Sequence, residues 1–253
     1  MRKILVIGIG AGNPEYITMQ AVNALNTVDV FFVVDKGEDK SSLLALREEI
    51  CERYIPGGNY RVVLIPDPPR DRQAAAYTGA VEDWHERRAR LFEAAIRTEL
   101  AEDGRGAFLV WGDPALYDST LQVIGRILAR GTTSFDYQVI PGITSVQALA
   151  AQHRLPLNRT GEPVHITTGR RLAEGMPDDL DSALVMLDAG FACADFDDPD
   201  LHVYWGAYLG TPEEELRSGR LREVAADIVA TKRELRERHG WIMDTYLLRR
   251  ERH

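Results

Sequence analysis

The sequence predicts an α/β protein of two α/β domains, an N-terminal one on a parallel sheet and a C-terminal one on a mixed sheet. Three observations carry that expectation. Short apolar, β-branched runs alternate with helical patterns through the first half, as in successive βα units. A second set of such runs follows with fewer helices between them. The 253 residues, 45% of them hydrophobic, suffice for two cores of ordinary size.

The first run, "KILVIGIG", reads as a strand entering a glycine-rich turn, after which Thr18 caps the helix "MQAVNAL". "DVFFVV" (29–34) and "YRVVLIP" (60–66) read as the second and third strands. The charged segment from Asp71 to Gly104 carries Val81, Trp84, Leu91, Ala95 and Leu100 at near-helical spacing, and Gly79 is expected to break that helix. "GAFLVWG" (106–112) and "YQVIPG" (137–142) complete the first set. The second set is "PVHITTG" (163–169), "ALVMLDAG" (183–190), "LHVYWGAYLG" (201–210) and "GWIMDTYLLRR" (240–250), with a turn segment "GMPDDLDS" among them. The join falls between Gly142 and Pro163, giving an N-terminal domain of residues 1–143 and a C-terminal domain of residues 144–253.

Composition excludes several classes. A net charge of −9 argues against a general nucleic-acid binder, so a polyanionic ligand would need a local arginine cluster. No run of eighteen apolar residues occurs and "MRKILVIGIG" enters a strand without a cleavage site, which predicts a soluble cytoplasmic protein with no membrane role. Cys51 and Cys193 are too few for a disulfide scaffold, and His153, His165, His202 and His239 have no paired ligand spacing; no metal is expected.

The loop "VIGIGAGNPEY" raises the question of a cofactor phosphate. A dinucleotide fingerprint needs G-x-G-x-x-G, whereas Gly8, Gly10 and Gly12 give G-x-G-x-G and Pro14 removes an amide. Asp35, after the second strand, stands about where a ribose-binding acid would, yet the glycine spacing fails and a tight βα turn accounts for most of these residues. Two further loops follow strands of the same sheet. "LVWGDPALYDS" carries Gly112, Asp113 and Pro114, and "VIPGITSVQAL" carries Pro141, Gly142, Thr144 and Ser145. In a parallel sheet such carboxyl ends line one crevice, where ligands bind.

With "GIGAGNPEYIT", "WGDPALYDS" and "VIPGITS" in that order, the sequence resembles the tetrapyrrole methylases, and "ALVMLDAG" and "VYWGAYLGTPEEEL" resemble that family's C-terminal strands, so the likeness covers nearly the whole chain. The insert "DPPRDRQAAAYTGAVEDWHERRA" and the C-terminal "HGWIMDTYLLRR" are similar to the members that couple methylation of a precorrin to release of acetate in cobalamin biosynthesis. The resemblance implies two α/β domains with S-adenosyl-L-methionine in the cleft between them, S-adenosyl-L-homocysteine as product, and a homodimer. It also implies that the glycine loop serves the substrate side, through Gly10 and Gly12, and cradles no pyrophosphate. Carried over position by position, the cofactor contacts are Ala11, Trp111, Gly112, Asp113, Leu116, Thr144, Ser145, Leu187 and Ala207. Ala11 stands where the family usually has proline, and Asp188 where it commonly has methionine.

Methyl transfer from a sulfonium disperses charge, so the protein need only align methyl and nucleophile, and no nucleophilic side chain is required. Acetyl removal differs: water must add to a carbonyl, which calls for a base and an oxyanion donor. Asp188, Asp35 and Asp113 are candidate bases, with Asp188 favoured because it interrupts an apolar strand, and Tyr117 or His85 are candidate donors. A turn-forming role for Asp188 before Ala189-Gly190 stays open beside it. Substrate carboxylates call for arginines, and Arg70 and Arg72 in the proline-rich loop are favoured over Arg61, Arg87 and Arg88, whose acidic neighbours suggest a solvated helix face. The alternatives are a methylase acting on another precorrin or on a diphthamide intermediate, a noncatalytic tetrapyrrole-binding module and, against the failed glycine spacing, an NAD-dependent oxidoreductase suggested by Gly8-x-Gly10 and Asp35.

Overall fold

The computed structural model describes residues 1–35, 41–69, 77–177 and 179–251. The chain forms two compact units, unit 1 comprising Met1–Gly10 with Pro14–Thr144 and unit 2 comprising Ala11–Asn13 with Ser145–His253.

Unit 1 runs β1 (Lys3–Gly8), a 3-10 turn (Pro14–Tyr16), α1 (Met19–Leu25), β2 (Val30–Asp35), α2 (Ser41–Tyr54), β3 (Arg61–Pro66), α3 (Tyr77–Glu99), β4 (Arg105–Val110), α4 (Thr120–Arg130) and β5 (Asp136–Ile140). The five strands are all parallel in the order β3-β2-β4-β1-β5. Both faces are covered, which is why the strands read as unbroken apolar runs. Ile4, Val6, Phe32 and Phe108 pack with Phe92 and Ile96 of α3 and with Val123 and Ile127 of α4. Leu5, Ile7, Phe31 and Leu109 pack with Leu25 of α1 and with Leu46 and Ile50 of α2. The neighbours β1 and β4 therefore hand the chain to helices on opposite faces, which makes the gap between their carboxyl ends the switch point of the sheet. As expected, Thr18 caps α1, its Oγ1 accepting from the Ala21 amide at 3.1 Å.

Unit 2 contains α5 (Ser145–Gln152), β6 (His165–Thr168), α6 (Gly169–Leu172), β7 (Ser182–Met186), β8 (Leu201–Ala207), β9 (Glu215–Arg220), α7 (Leu221–His239) and β10 (Asp244–Arg250). Its mixed sheet has the order β6-β7-β10-β8-β9, with β6 and β7 parallel and the remaining pairs antiparallel. Val185, Val203, Trp205, Tyr246 and Leu248 form one core with Leu221, Ala225, Ile228 and Leu235 of α7.

Several expectations are corrected. Gly79 does not break the helix but lies in the first turn of α3, where a single glycine is tolerated at modest cost. "ALVMLDAG" is strand only to Met186, because Asp188 folds the chain into a turn, and the last strand starts at Asp244 instead of Gly240. Strand β9, "ELRSGR", has no apolar alternation to announce it and is set by pairing with β8.

Candidate functional site

At the carboxyl edge of unit 1 three loops are joined backbone to backbone. The Gly10 and Gly112 amides donate to each other's carbonyls at 3.3 and 2.8 Å, bridging the turn after β1 to the turn after β4 across the switch point. The chains approach so closely that a Cβ on Gly8 would lie 2.6 Å from the Gly142 nitrogen and 2.8 Å from the Gly112 carbonyl oxygen. One on Gly142 would collide with that same oxygen. Asp113 locks the arrangement: its Oδ1 accepts from the Ala115 amide at 2.7 Å and its Oδ2 from the Gly142 amide at 2.8 Å. The amides of Gly10, Gly112 and Gly142 are thus already donated within the protein, and Pro14 has none, so these three glycines serve the close packing of the loops. Gly112 differs from the other two. A Cβ there would meet nothing nearer than the Thr144 Cα at 3.6 Å, and its φ of +68° is what asks for glycine.

Tyr117 follows in the same loop with φ +52° and is 46% exposed; burial of its inner part pushes the phenol up, so it stays a hydroxyl donor. Trp111, Leu116 and Asp118 are half-buried, and Thr144 is buried. Behind this loop sits Arg88 of α3, buried, its Nη1 donating to Ser119 Oγ at 2.7 Å and its guanidinium 4.5 Å from the Trp84 ring. Its Nε faces Asp67 Oδ1 at 3.1 Å, out of hydrogen-bond alignment. Arg88 therefore ties the loops after β3 and β4 together and is not the solvated helix charge that the sequence suggested. His85 is buried beside Trp84, with ring centroids 5.0 Å apart. Asp35 is exposed at the end of β2, its carbonyl accepting from the Asp67 amide at 3.1 Å. Arg70 and Arg72 lie outside the described residues.

Unit 2 presents a different edge. The pairings Thr168↔Met186, Thr245↔Met186 and Asp244↔Ala207 bring the carboxyl ends of β6, β7 and β8 to the same side as the start of β10. Immediately after β7, Leu187 adopts φ +53° with 67% of its surface exposed, and immediately after β8, Tyr208 adopts φ +48°. A left-handed backbone at a bulky residue is an outlier that surrounding structure must enforce, and such outliers cluster at functional sites. Ala11 and Ala207 are both buried, main chain included.

Asp188 is a correction to the catalytic expectation. Its Oδ1 accepts from the amides of Gly190 and Phe191, both at 3.0 Å, and its Oδ2 from the Ala192 amide at 2.7 Å and the Tyr246 hydroxyl at 2.6 Å. Burial pushes this carboxyl up, but the Tyr246 hydroxyl, the Ala192 and Gly190 amides and the Lys232 charge outweigh burial and hold it below the usual carboxylate range. A carboxylate with four donors and a depressed pKa is a poor base for water. It is the turn anchor that the sequence also allowed. Gly10 and Gly12, expected on the substrate side, have local reasons to be glycine: a Cβ on Gly10 would lie 2.7 Å from Tyr16 Cβ, and one on Gly12 would collide with the Leu209 carbonyl.

Sequence reasoning missed Lys232, Asp244 and Trp205. The Lys232 ammonium, 5% exposed, is paired with Asp244 Oδ2 and donates to the Asp188 carbonyl at 2.8 Å, while Trp205 Nε1 donates to the same Asp244 oxygen at 2.7 Å. A signal was available. Lys232 continues the stripe Leu221, Ala225, Ile228 and Leu235, so it occupies a core position of α7.

Comparison with known proteins matches residues 3–225 to the family described as Tetrapyrrole (Corrin/Porphyrin) Methylases. A precorrin-6A synthase [deacetylating] from Sinorhizobium sp is 52% identical over 250 residues, covering 99% of this chain and 96% of that one. A crystal structure of a protein described as cobalamin synthesis related, from Corynebacterium diphtheriae, is 43% identical with a TM-score of 0.86, covering 99% of each chain. The uroporphyrin-III C-methyltransferase of Thermus thermophilus, solved with S-adenosyl homocysteine, shares the fold at 21% identity and a TM-score of 0.58, covering 97% of this chain and 96% of that one.

Proposed function

Because the chain belongs to the tetrapyrrole methylase family, we propose that it is an S-adenosylmethionine-dependent C-methyltransferase of cobalamin biosynthesis, with the activity of a deacetylating precorrin-6A synthase: methylation of precorrin-5 at C-1 with release of acetate. One observation carries the reading, the 52% identity to such a synthase over 99% of the chain. The geometry of unit 1 is compatible with it, since the Gly10, Gly112 and Gly142 amides are donated within the loops and this cofactor, having no phosphate, does not call for them.

The cofactor-binding residues in this proposal are Trp111, Gly112, Asp113, Leu116 and Thr144 of unit 1 and Ala11, Ser145, Leu187 and Ala207 of unit 2. Two features fit the group: the room at Gly112, where a Cβ would make only ordinary contact with Thr144 and Ile143, and the exposed apolar Leu187 held in a strained backbone. Bound there, S-adenosylmethionine supplies an electrophilic methyl on a sulfonium. The protein's part is alignment, which in well-oriented systems lowers a barrier by roughly 7–11 kcal/mol. Asp113 acts here through its loop, fixing Gly112 and Gly142 in place. For acetyl removal, water adds to the acetyl carbonyl as a base takes its proton, and the bond between acetyl and ring carbon then breaks to release acetate. The electron pair left on the ring carbon is delocalised into the conjugated macrocycle until that carbon takes up an electrophile. Tyr117, a protonated phenol at the loop edge, is the proposed donor to the oxyanion, and Asp35, exposed at the end of β2, the proposed base. Arg70 and Arg72 stay the proposed partners of the substrate carboxylates. No described helix is long and apolar enough to cross a membrane, and a cytoplasmic homodimer completes the proposal.

Two measurements test it. S-adenosylhomocysteine should raise the melting temperature while NAD and NADP leave it unchanged, because only a ligand that prefers the folded state stabilises it. Single-turnover mass spectrometry with precorrin-5 should then show methyl gain and acetate release in equal amounts. A product methylated without loss of acetyl would place the enzyme elsewhere in the family, and sedimentation at one protomer's mass would remove the dimer.

A further inference from the structure

The buried polar groups of unit 2 form a chain that ends at the strained turn. Lys232 and Asp244 are paired with side chains 5% and 4% exposed, Trp205 Nε1 completes the Asp244 carboxylate, and the Lys232 ammonium reaches the carbonyl of Asp188 at 2.8 Å. Asp188 in turn gathers three amides and the Tyr246 hydroxyl. The residue directly before it is Leu187, left-handed and exposed, and the residue paired with Asp244 in the sheet is Ala207. We propose that the Lys232–Asp244 pair is a positioning device for the cofactor-binding edge of unit 2, holding the Asp188 carbonyl and so the turn that carries Leu187 one residue earlier.

Stability alone does not account for the pair. Removing an ammonium and a carboxylate from water costs more than their attraction commonly returns, and well-packed apolar residues often serve a core as well or better. Burial pushes the Asp244 carboxyl up despite the opposing pull of Lys232 and Trp205, which is the sign of a pair whose desolvation is not fully offset. The α7 stripe would otherwise be apolar at this position, as Leu221, Ala225, Ile228 and Leu235 show. What an apolar side chain cannot supply is a donor to the Asp188 carbonyl. Without that bond the turn keeps its Asp188 side-chain anchor but loses the restraint on the peptide between Asp188 and Ala189, one peptide beyond Leu187.

The inference rests on the proposed cofactor role of Leu187 and Ala207, and its test separates the two. The double variant K232M/D244L removes both charges together, so neither is left buried alone. It should stay folded, its melting temperature lowered modestly because the Trp205 indole N–H loses its acceptor and the Asp188 carbonyl its donor, and calorimetric titration should show S-adenosylhomocysteine binding weakened by about tenfold or more. Steady-state kinetics should show a raised KM for S-adenosylmethionine with kcat and the tetrapyrrole KM unchanged, a split that general loosening would not produce. Wild-type affinity in the folded double variant overturns the positioning role and leaves the cofactor reading intact. Absence of binding in the wild-type protein overturns the cofactor reading and the inference with it. Should the double variant not fold, K232Q decides: it keeps an amide donor for the Asp188 carbonyl, so retained affinity in folded K232Q supports positioning through that carbonyl and lost affinity overturns it.

Discussion

The carboxyl edges of the two sheets are built from opposite materials. In unit 1 the edge is made of backbone: Gly8, Gly112 and Gly142 let three loops touch without side chains between them, and one carboxylate, Asp113, fastens them. In unit 2 the edge is made of buried side chains, with Asp188, Tyr246, Lys232, Asp244 and Trp205 linked through hydrogen bonds around a turn that contains no glycine before position 190. The first solution is rigid through close contact and intolerant of any added atom. The second is rigid through satisfied polarity, so it should tolerate shape changes and fail when a donor or acceptor is lost. Each following prediction bears on that contrast.

The largest effect is expected in unit 1. Gly142→Val places a branched side chain against the Gly112 carbonyl and the Gly8 backbone, none of which can rotate away, and should cost about 3 kcal/mol or more. Gly112→Ala, one loop away, meets no atom closer than 3.6 Å and pays only for its left-handed backbone, about 1–2 kcal/mol. Urea unfolding of both variants checks the difference. Equal losses would mean that backbone contact is not what holds this edge. A normal S-adenosylhomocysteine affinity in folded Gly112→Ala would remove Gly112 from the cofactor site.

Next in size is Asp188→Asn in unit 2. The amide keeps the shape but can accept only at one oxygen, so at least one of the four donors loses its partner, for about 2 kcal/mol. The sign with pH follows from the depressed pKa in the folded protein. Ionised Asp188 contributes stability that is fully present above the unfolded value of about 3.9 and is lost as pH falls through the folded value. The stability gap between wild type and variant should therefore be flat near neutrality and close below about pH 4. Asp244 has the opposite sign, being pushed up by burial, but it is present in both proteins and drops out of the difference to first order. In turnover, acetate release and methyl transfer should decline together. An acetylated, methylated intermediate accumulating in Asp188→Asn would restore Asp188 as the base.

The same contrast explains what was legible in the sequence. The unit 1 edge is local: each glycine sits directly behind a strand of β-branched residues, so "VIGIG", "VWGDP" and "VIPGI" announce both the strands and the crowded turns. What those glycines do was less visible, because G-x-G-x-G can approach a phosphate or another backbone, and only the folded loops show Gly10 exchanging hydrogen bonds with Gly112. The unit 2 edge is nonlocal. Asp188, Lys232 and Asp244 come from β7's turn, α7 and β10, and each looks ordinary where it stands: a turn aspartate, one lysine in a charged helix and an acid opening a strand. Position on the α7 stripe was the one local clue. β9 gave none, since its pairing with β8 decides its conformation more than its own residues do.

The smallest change in stability should accompany one of the sharper changes in binding. Leu187 contributes little to the core, being 67% exposed, and its φ of +53° is unfavourable for a leucine. Asparagine tolerates that backbone region better, so Leu187→Asn trades a modest relief of strain against a small loss of packing and should leave stability within about 0.5 kcal/mol of wild type. If the side chain is exposed because it waits for an apolar part of the cofactor, the polar replacement forfeits that contact. Burying most of a leucine is worth about 1.5 kcal/mol or more, which is about tenfold in affinity for S-adenosylhomocysteine. Calorimetric titration of the folded variant measures this directly. Unchanged affinity would make Leu187 one of the solitary exposed apolar residues common on protein surfaces, its strained backbone a consequence of the Asp188 turn alone. Weakened affinity with unchanged stability would instead show that the polar network of unit 2 holds this residue out for a ligand, since the fold itself gains nothing from having it there.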